Sequence, residues 1–417
     1  MTAHLHVVLD DLSLGPTTPV GTLTQERVRS TEVIGFAYDD QYLALPWCVQ
    51  LDPELPLVGG RIHATPTRGM FGCFRDTAPD RWGRVLMERR EAVEARHEGR
   101  RVRRLSEWDF LVGVSDVARL GALRLREASP PQRYVDGREP TVPPMARLRE
   151  LEAIARELSR TDAEDRPEYE RWLAQLVVPG TSLGGARPKA SYRAEDGSLW
   201  LAKFPAHDDR RDVGAWEQLA SEIARASGVD MAESRLLAFG GPYRTYAARR
   251  FDRAGGSRRL YVSAMTLLAR SDGDRGSYLD IAEAIQTLGA PASIESDLAQ
   301  LYRRVAVSIL LANRDDHLRN HGFLRDRDGW RLAPAFDVNP NPDKHEHALA
   351  IDEADPSPSL ATLHSTHAYY RLTSADAARI HAEVRVGVRS WRDIARTIGV
   401  SSREQRQLAE LIDPDRE

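Results

Sequence analysis

Between Asn313 and Asp337 the chain reads Asn-Arg-Asp-Asp-His-Leu-Arg-Asn-His-Gly-Phe and then, after a short turn, Ala-Pro-Ala-Phe-Asp. Asp315 and Asn320 stand in Asp-x-x-x-x-Asn spacing, and a lone Asp337 follows seventeen residues later at the end of an apolar run. That spacing suits phosphoryl transfer of the protein-kinase type. Asp315 would lie beside an attacking hydroxyl, while the Asn320 amide oxygen and the Asp337 carboxylate hold Mg²⁺ against the phosphates of ATP. A solvated corner could carry the same acids. Here, however, the apolar runs 305–311 and 323–324 bracket the cluster, and polar groups set between buried elements are where ligand chemistry concentrates.

Such a site needs a lysine for the α- and β-phosphates and a carboxylate to hold it. Lys203 lies in the otherwise apolar run Leu199-Trp-Leu-Ala-Lys-Phe, where a solvated lysine is unexpected. The next helix, opening at Val213 and closed by Gly228, offers Glu217 one turn inside it, with Glu222 as the other candidate. Upstream lies a glycine-bearing loop, Pro179-Gly-Thr-Ser-Leu-Gly-Gly-Ala-Arg-Pro-Lys189. It is no Walker A loop, because Gly180-x4-Gly185 is followed by Ala186 rather than Lys. What remains is a loop whose backbone N–H groups could approach phosphates, together with Lys189.

The elements that must position these residues fall into two styles. Residues 4 to 60 alternate apolar and polar positions between turn signals, the pattern of a small antiparallel sheet. Asp80 can cap a helix running through Trp82, Val85 and Leu86. Residues 127–145 are rich in proline and polar residues and read as a boundary. A helix follows with Leu148, Leu151, Ile154, Ala155 and Leu158 on one face, then a hairpin turning at Asp196-Gly197. Strands at Ser234–Phe239 and Thr245–Arg253 lead through Arg249-Arg250-Phe251, the expected connection where backbone groups meet an adenine. From Tyr278 onward the pattern is helical. Strands first and helices after, with the acids in the helical half, is the order of a two-lobed kinase.

The chain has 417 residues, 41% of them apolar, enough for two or three domains. A formal charge of −4 gives no global basic excess for nucleic acid or membrane. Cys48 and Cys73 are too few for a disulfide framework, and no stretch reads as a signal peptide or membrane span. The expected location is the cytoplasm.

With those residues in view, the chain resembles the HipA family, the serine/threonine kinase toxins of bacterial toxin–antitoxin modules. The family's Asn-x-Asp-x-His-x-x-Asn signature is Asn313-Arg-Asp315-Asp-His317-Leu-Arg-Asn320, and its Arg-Phe-Asp-Arg element is 250–253. Ala78-Pro-Asp-Arg-Trp-Gly-Arg84 and Asp116-Val-Ala-Arg-Leu-Gly-Ala-Leu-Arg124 are similar to its N-terminal patterns. The resemblance implies an α+β, two-lobed protein-kinase-like fold with an N-terminal α/β domain and an all-helical C-terminal lobe. Its implied domains are 1–128, a 140–253 ATP-binding lobe and a 254–417 catalytic lobe. Asp315 is then the catalytic aspartate. Asn320 and Asp337 are the Mg²⁺ ligands, Lys203 is the phosphate lysine with Glu217 as its partner, and Gly184, Gly185, Ala186, Arg187 and Lys189 form the phosphate loop. Arg249, Arg250, Phe251 and His317 complete the nucleotide contacts. Ser182 falls where family members autophosphorylate, with Thr181 as the neighbouring alternative. Three stretches depart from the family: Arg249 replaces a glutamate, Arg187-Pro188-Lys189 replaces Gln-Glu-Lys, and Ser263-Ala-Met-Thr-Leu replaces His-x-Glu-Asp-Phe.

By resemblance, the partners are a small helix-turn-helix antitoxin of the HipB kind, DNA only through that antitoxin, and a protein substrate such as an aminoacyl-tRNA synthetase. Two other readings compete: a small-molecule kinase, and a non-catalytic scaffold of a DNA-bound antitoxin complex. The scaffold would be marked by loss of Asp315, Asn320, Asp337 or Lys203, and all four are present.

Overall fold

The computed structural model describes residues 2–28, 31–128, 133–135, 142–177 and 187–416. These divide into two compact units, one of residues up to 208 with 249–262, the other of 209–248 with 263 onward.

The first unit opens with an antiparallel sheet of five strands, β1 (Thr2–Leu9), β2 (Thr18–Val28), β3 (Thr31–Tyr38), β4 (Arg61–His63) and β5 (Leu123–Glu127), ordered β4-β3-β2-β1-β5. Leu5, Val7, Leu23, Ile34 and Phe36 enter its core, as the alternating pattern requires. Gly21 is needed on β2, because a Cβ there would lie 2.3 Å from the Ala37 carbonyl oxygen. The helix Arg81–His97 starts at Asp80, whose carboxylate accepts the Gly83 N–H at 2.8 Å. The Leu148–Leu158 helix buries the five apolar residues its periodicity singles out. Strands β6 (Lys189–Arg193) and β7 (Leu199–Lys203) pair antiparallel across a turn in which Gly197 takes a positive φ of 81°.

The second unit is built on helix Ile294–Leu310, whose buried positions include Leu298, Leu301, Tyr302, Val305 and Ile309. Against it pack Tyr278–Leu288, Leu360–Ser365 and Ser374–Arg389. The Val213–Ala226 helix begins where Asp212 accepts the Ala215 N–H at 3.1 Å and ends before Gly228 at φ 80°. It packs against Ser374–Arg389 and Trp391–Ile398. The helical expectation needs one correction: Gly322–Asp326 and Gly329–Leu332 form an antiparallel hairpin directly after the acidic cluster. Its two-residue turn is Arg327-Asp328, between the paired Asp326 and Gly329. Among the described residues no helix is long and apolar enough to cross a membrane.

Candidate active site

Within the second unit, the acidic cluster is a loop slung between helix Ile294–Leu310 and the hairpin. The helix ends because Ala312 adopts φ 53°, a left-handed conformation that cannot continue it. Asn313 is buried there: its Nδ2 donates to Ser308 Oγ at 3.1 Å, and its Oδ1 accepts the Asn339 N–H at 3.1 Å. One amide therefore ties the start of this loop to the segment just past Asp337.

Asp315 is exposed, and its carboxylate contacts the ammonium of Lys344. Asn320, by contrast, is buried. Its backbone N–H donates to His317 O at 2.8 Å and its Nδ2 to Asp315 O at 3.4 Å, which presents the amide oxygen on the opposite side. His317 caps this short turn and is half-buried. Asp337 sits at φ 58° and accepts from Asn339 Nδ2 at 3.4 Å. A left-handed aspartate costs on the order of 1 kcal/mol or more, and such strain gathers where a side chain must be aimed. Asn320 and the two neighbours of Asp337, Phe336 and Val338, line one cavity, which brings the two segments together. A carboxylate and an amide oxygen are a donor set for Mg²⁺, a hard cation that keeps waters and substrate phosphates for its remaining positions.

Next to Asp315, Asp316 is buried, accepts from Tyr278 Oη at 2.8 Å and has His321 Nε2 3.1 Å away. Burial opposes its charge, but His321 and the Tyr278 hydroxyl together hold its carboxyl below the usual range. The same burial, reinforced by Asp316, keeps Tyr278 a neutral phenol. Of the two glutamates on the Val213–Ala226 helix, Glu217 is buried, whereas Glu222 is half-exposed and pairs with Arg225 at 2.9 Å.

In the first unit, Lys203 ends β7 half-buried, directly opposite Lys189 in the ladder. Cross-strand lysines repel, and a carboxylate relieves them: Lys189, 1% exposed, lies 2.5 Å from Asp80 Oδ2. Burial pushes the Asp80 carboxyl up, against the pull of Lys189 and the Gly83 N–H. Lys189, expected from the sequence at the phosphates, has its ammonium in a buried ion pair with Asp80. The signal that went unread was Asp80 itself, one residue serving as both helix cap and counter-ion. Arg187 is half-buried and donates to Phe204 O at 3.2 Å.

Arg250 is heavily engaged within the first unit. Its backbone N–H donates to Leu199 O at 2.9 Å, and its guanidinium grips Asp252 through two 2.6 Å bonds while reaching the carbonyls of Ala118 and Arg119. Asp252 in turn accepts the Gly121 N–H at 2.7 Å. Burial pulls Arg253, which also grips Asp252, down to about 9. The 250–253 and 116–124 patterns are thus two halves of one buried ionic joint. Arg249 is exposed at its strand end, and Phe251 packs 6.0 Å from Tyr261. Ser182, Thr181, Gly184, Gly185 and Ala186 lie outside the described residues.

The fold is similar to that of the HipA of Shewanella oneidensis MR-1, solved with HipB and its operator DNA. That match covers 98% of this chain and 95% of the other, at 14% identity and a TM-score of 0.64. The Helicobacter pylori proinflammatory kinase CtkA matches over 55% of this chain and 88% of its own, at 18% identity and a TM-score of 0.44. No curated protein matches. Residues 181–408, more than half the sequence, match the HipA-like C-terminal domain, and the chain therefore belongs to the HipA family.

Proposed function

We propose that this chain is an ATP- and Mg²⁺-dependent serine/threonine protein kinase, the toxin of a toxin–antitoxin module. The observation that carries the reading is Asp337, held at φ 58° and joined through Asn339 and Asn313 to the loop bearing Asp315 and Asn320. Asp315 orients the substrate hydroxyl and takes up its proton as the hydroxyl oxygen bonds to the γ-phosphorus. The bond from that phosphorus to the bridging oxygen breaks, and ADP leaves with the electron pair. Asn320 and Asp337 would hold Mg²⁺, which neutralises charge on the phosphates. Lys203, backed by Glu217, steadies the α- and β-phosphates. The solved HipA stands in complex with HipB and operator DNA, which supports a small helix-turn-helix antitoxin as partner. The substrate is a protein hydroxyl on a translation component such as an aminoacyl-tRNA synthetase, and Ser182 is the autophosphorylation site.

Incubation of the purified chain with γ-labelled ATP, Mg²⁺ and a bacterial lysate tests this. A labelled protein band that disappears with Asp315→Ala supports the reading. Label found only on small molecules would instead mark a small-molecule kinase.

A further inference from the structure

Asp316 takes no part in the transfer step, yet it stands at one end of a buried chain of contacts that reaches Asp337. Tyr278 Oη donates to Asp316 Oδ2 at 2.8 Å, Ser308 Oγ donates to the same oxygen at 3.5 Å, and His321 Nε2 is 3.1 Å from Oδ1. The Ser308 hydroxyl accepts from Asn313 Nδ2, Asn313 Oδ1 accepts the Asn339 N–H, and Asn339 Nδ2 donates to Asp337 Oδ1. Tyr278, Ser308, Asn313 and Asp316 are all at most 5% exposed. Such a network holds one geometry when fully satisfied and is expensive when broken. A carboxylate at this depth costs stability unless its neighbours compensate it, and here they come from three separate elements.

Arg304 faces the same interior. It is 6% exposed and donates through Nη2 to Ala333 O at 2.6 Å, while its Nε and Nη1 have no hydrogen-bond partner among the described residues. With Ser308, Asp316, Asn320 and His321 it lines the cavity already described, which has room for about one water. A water there would meet N–H donors of Arg304 and the carboxylate of Asp316, adding a second residue of helix Ile294–Leu310 to the network.

We infer that Asp316 is a positioning residue, which sets the loop carrying Asp315 and Asn320 against the turn carrying Asp337 so that the metal-binding pair is in place before nucleotide arrives. The inference rests on the kinase reading above. It predicts a specific defect. Groups behind a metal's ligands typically contribute 10- to 100-fold in metal affinity, so loosening this one should raise the Mg²⁺ requirement more than it weakens nucleotide contacts made without metal.

The test is titration calorimetry of a non-hydrolysable ATP analogue into the full chain across a Mg²⁺ series, beside thermal melting. Asp316→Asn keeps the shape but replaces one acceptor with a donor. Tyr278→Phe removes a single bond and serves if the first variant folds poorly. The half-saturating Mg²⁺ should rise about 10-fold or more in Asp316→Asn and by a smaller factor in Tyr278→Phe, with metal-free analogue binding unchanged. An unaltered Mg²⁺ requirement in both, whatever the melting temperatures, overturns the inference. Asp337→Ala separates the two claims. If it loses the Mg²⁺ response while the Asp316 and Tyr278 variants keep it, only the inference fails. If the unmodified chain shows no Mg²⁺ response at all, the kinase reading falls and the inference with it.

Discussion

Lys203 ends its strand opposite a second lysine. Its cross-strand partner Lys189 already holds Asp80, so that carboxylate is engaged by another cation. On the proposed function, Lys203→Ala should weaken ATP binding and slow transfer by about 10²-fold or more, since a positioned cation on a phosphate acts mainly on the transition state. Nucleotide titration and turnover measure this, and an unchanged affinity and rate would remove Lys203 from the site. Ser182 supplies a second test at this scale. A phosphate there adds about −1.5 to −2 charges near groups proposed to hold ATP phosphates, so the modified chain should bind ATP more weakly. Mass spectrometry after incubation with ATP and Mg²⁺ should place phosphate on Ser182. Its absence from residues 180–189, or undiminished ATP affinity of the phosphorylated chain, would dispose of this switch.

Elements show how far local signals reach. Caps and periodicity located the Arg81–His97, Leu148–Leu158 and Val213–Ala226 helices because each signal lies within a few residues of what it specifies. The proposed centre rests on an equally local pattern, since Asp315 and Asn320 share one loop. The Lys189–Asp80 pair could not be read this way, because Asp80 lies 109 residues away, and Arg250, though its counter-charge Asp252 is two residues on, also reaches the carbonyls of Ala118 and Arg119, 132 and 131 residues away. A lysine in a strand looks the same from sequence whether it meets a phosphate or an aspartate. Stability tells them apart. Lys189→Met should destabilise the chain by about 3–5 kcal/mol, because it strands a buried carboxylate. Denaturant unfolding measures the loss, and near-native stability would show that Asp80 tolerates solitude and that Lys189 is free for another task.

At the scale of the whole molecule, the pH response follows from buried ionisable groups. His347 is 5% exposed, and burial drives its imidazole down to about 4, well below the ordinary value near 6.5. The unfolded chain thus binds a proton that the folded chain refuses. The resulting stabilisation is complete above about pH 6.5 and disappears as pH falls toward 4, a loss of about 3 kcal/mol. Asp52, raised to about 6 by burial, works the opposite way, favouring the fold as pH drops through that range. Comparison of urea unfolding at pH 7 and 4.5 for the unmodified chain and His347→Leu isolates the histidine: the variant should lose less stability on acidification, and equal losses would exclude its role. The central claim, that Asp315, Asn320 and Asp337 form a metal-dependent phosphoryl-transfer centre, meets its most direct test in transfer of label from γ-labelled ATP to the purified chain. With Mg²⁺ present the unmodified protein should become labelled. Chelation should abolish the label, and Asp315→Ala and Asp337→Ala should each reduce it by about 10³-fold or more while retaining the native melting transition. Labelling of Asp337→Ala at the unmodified rate in saturating Mg²⁺ would contradict the account.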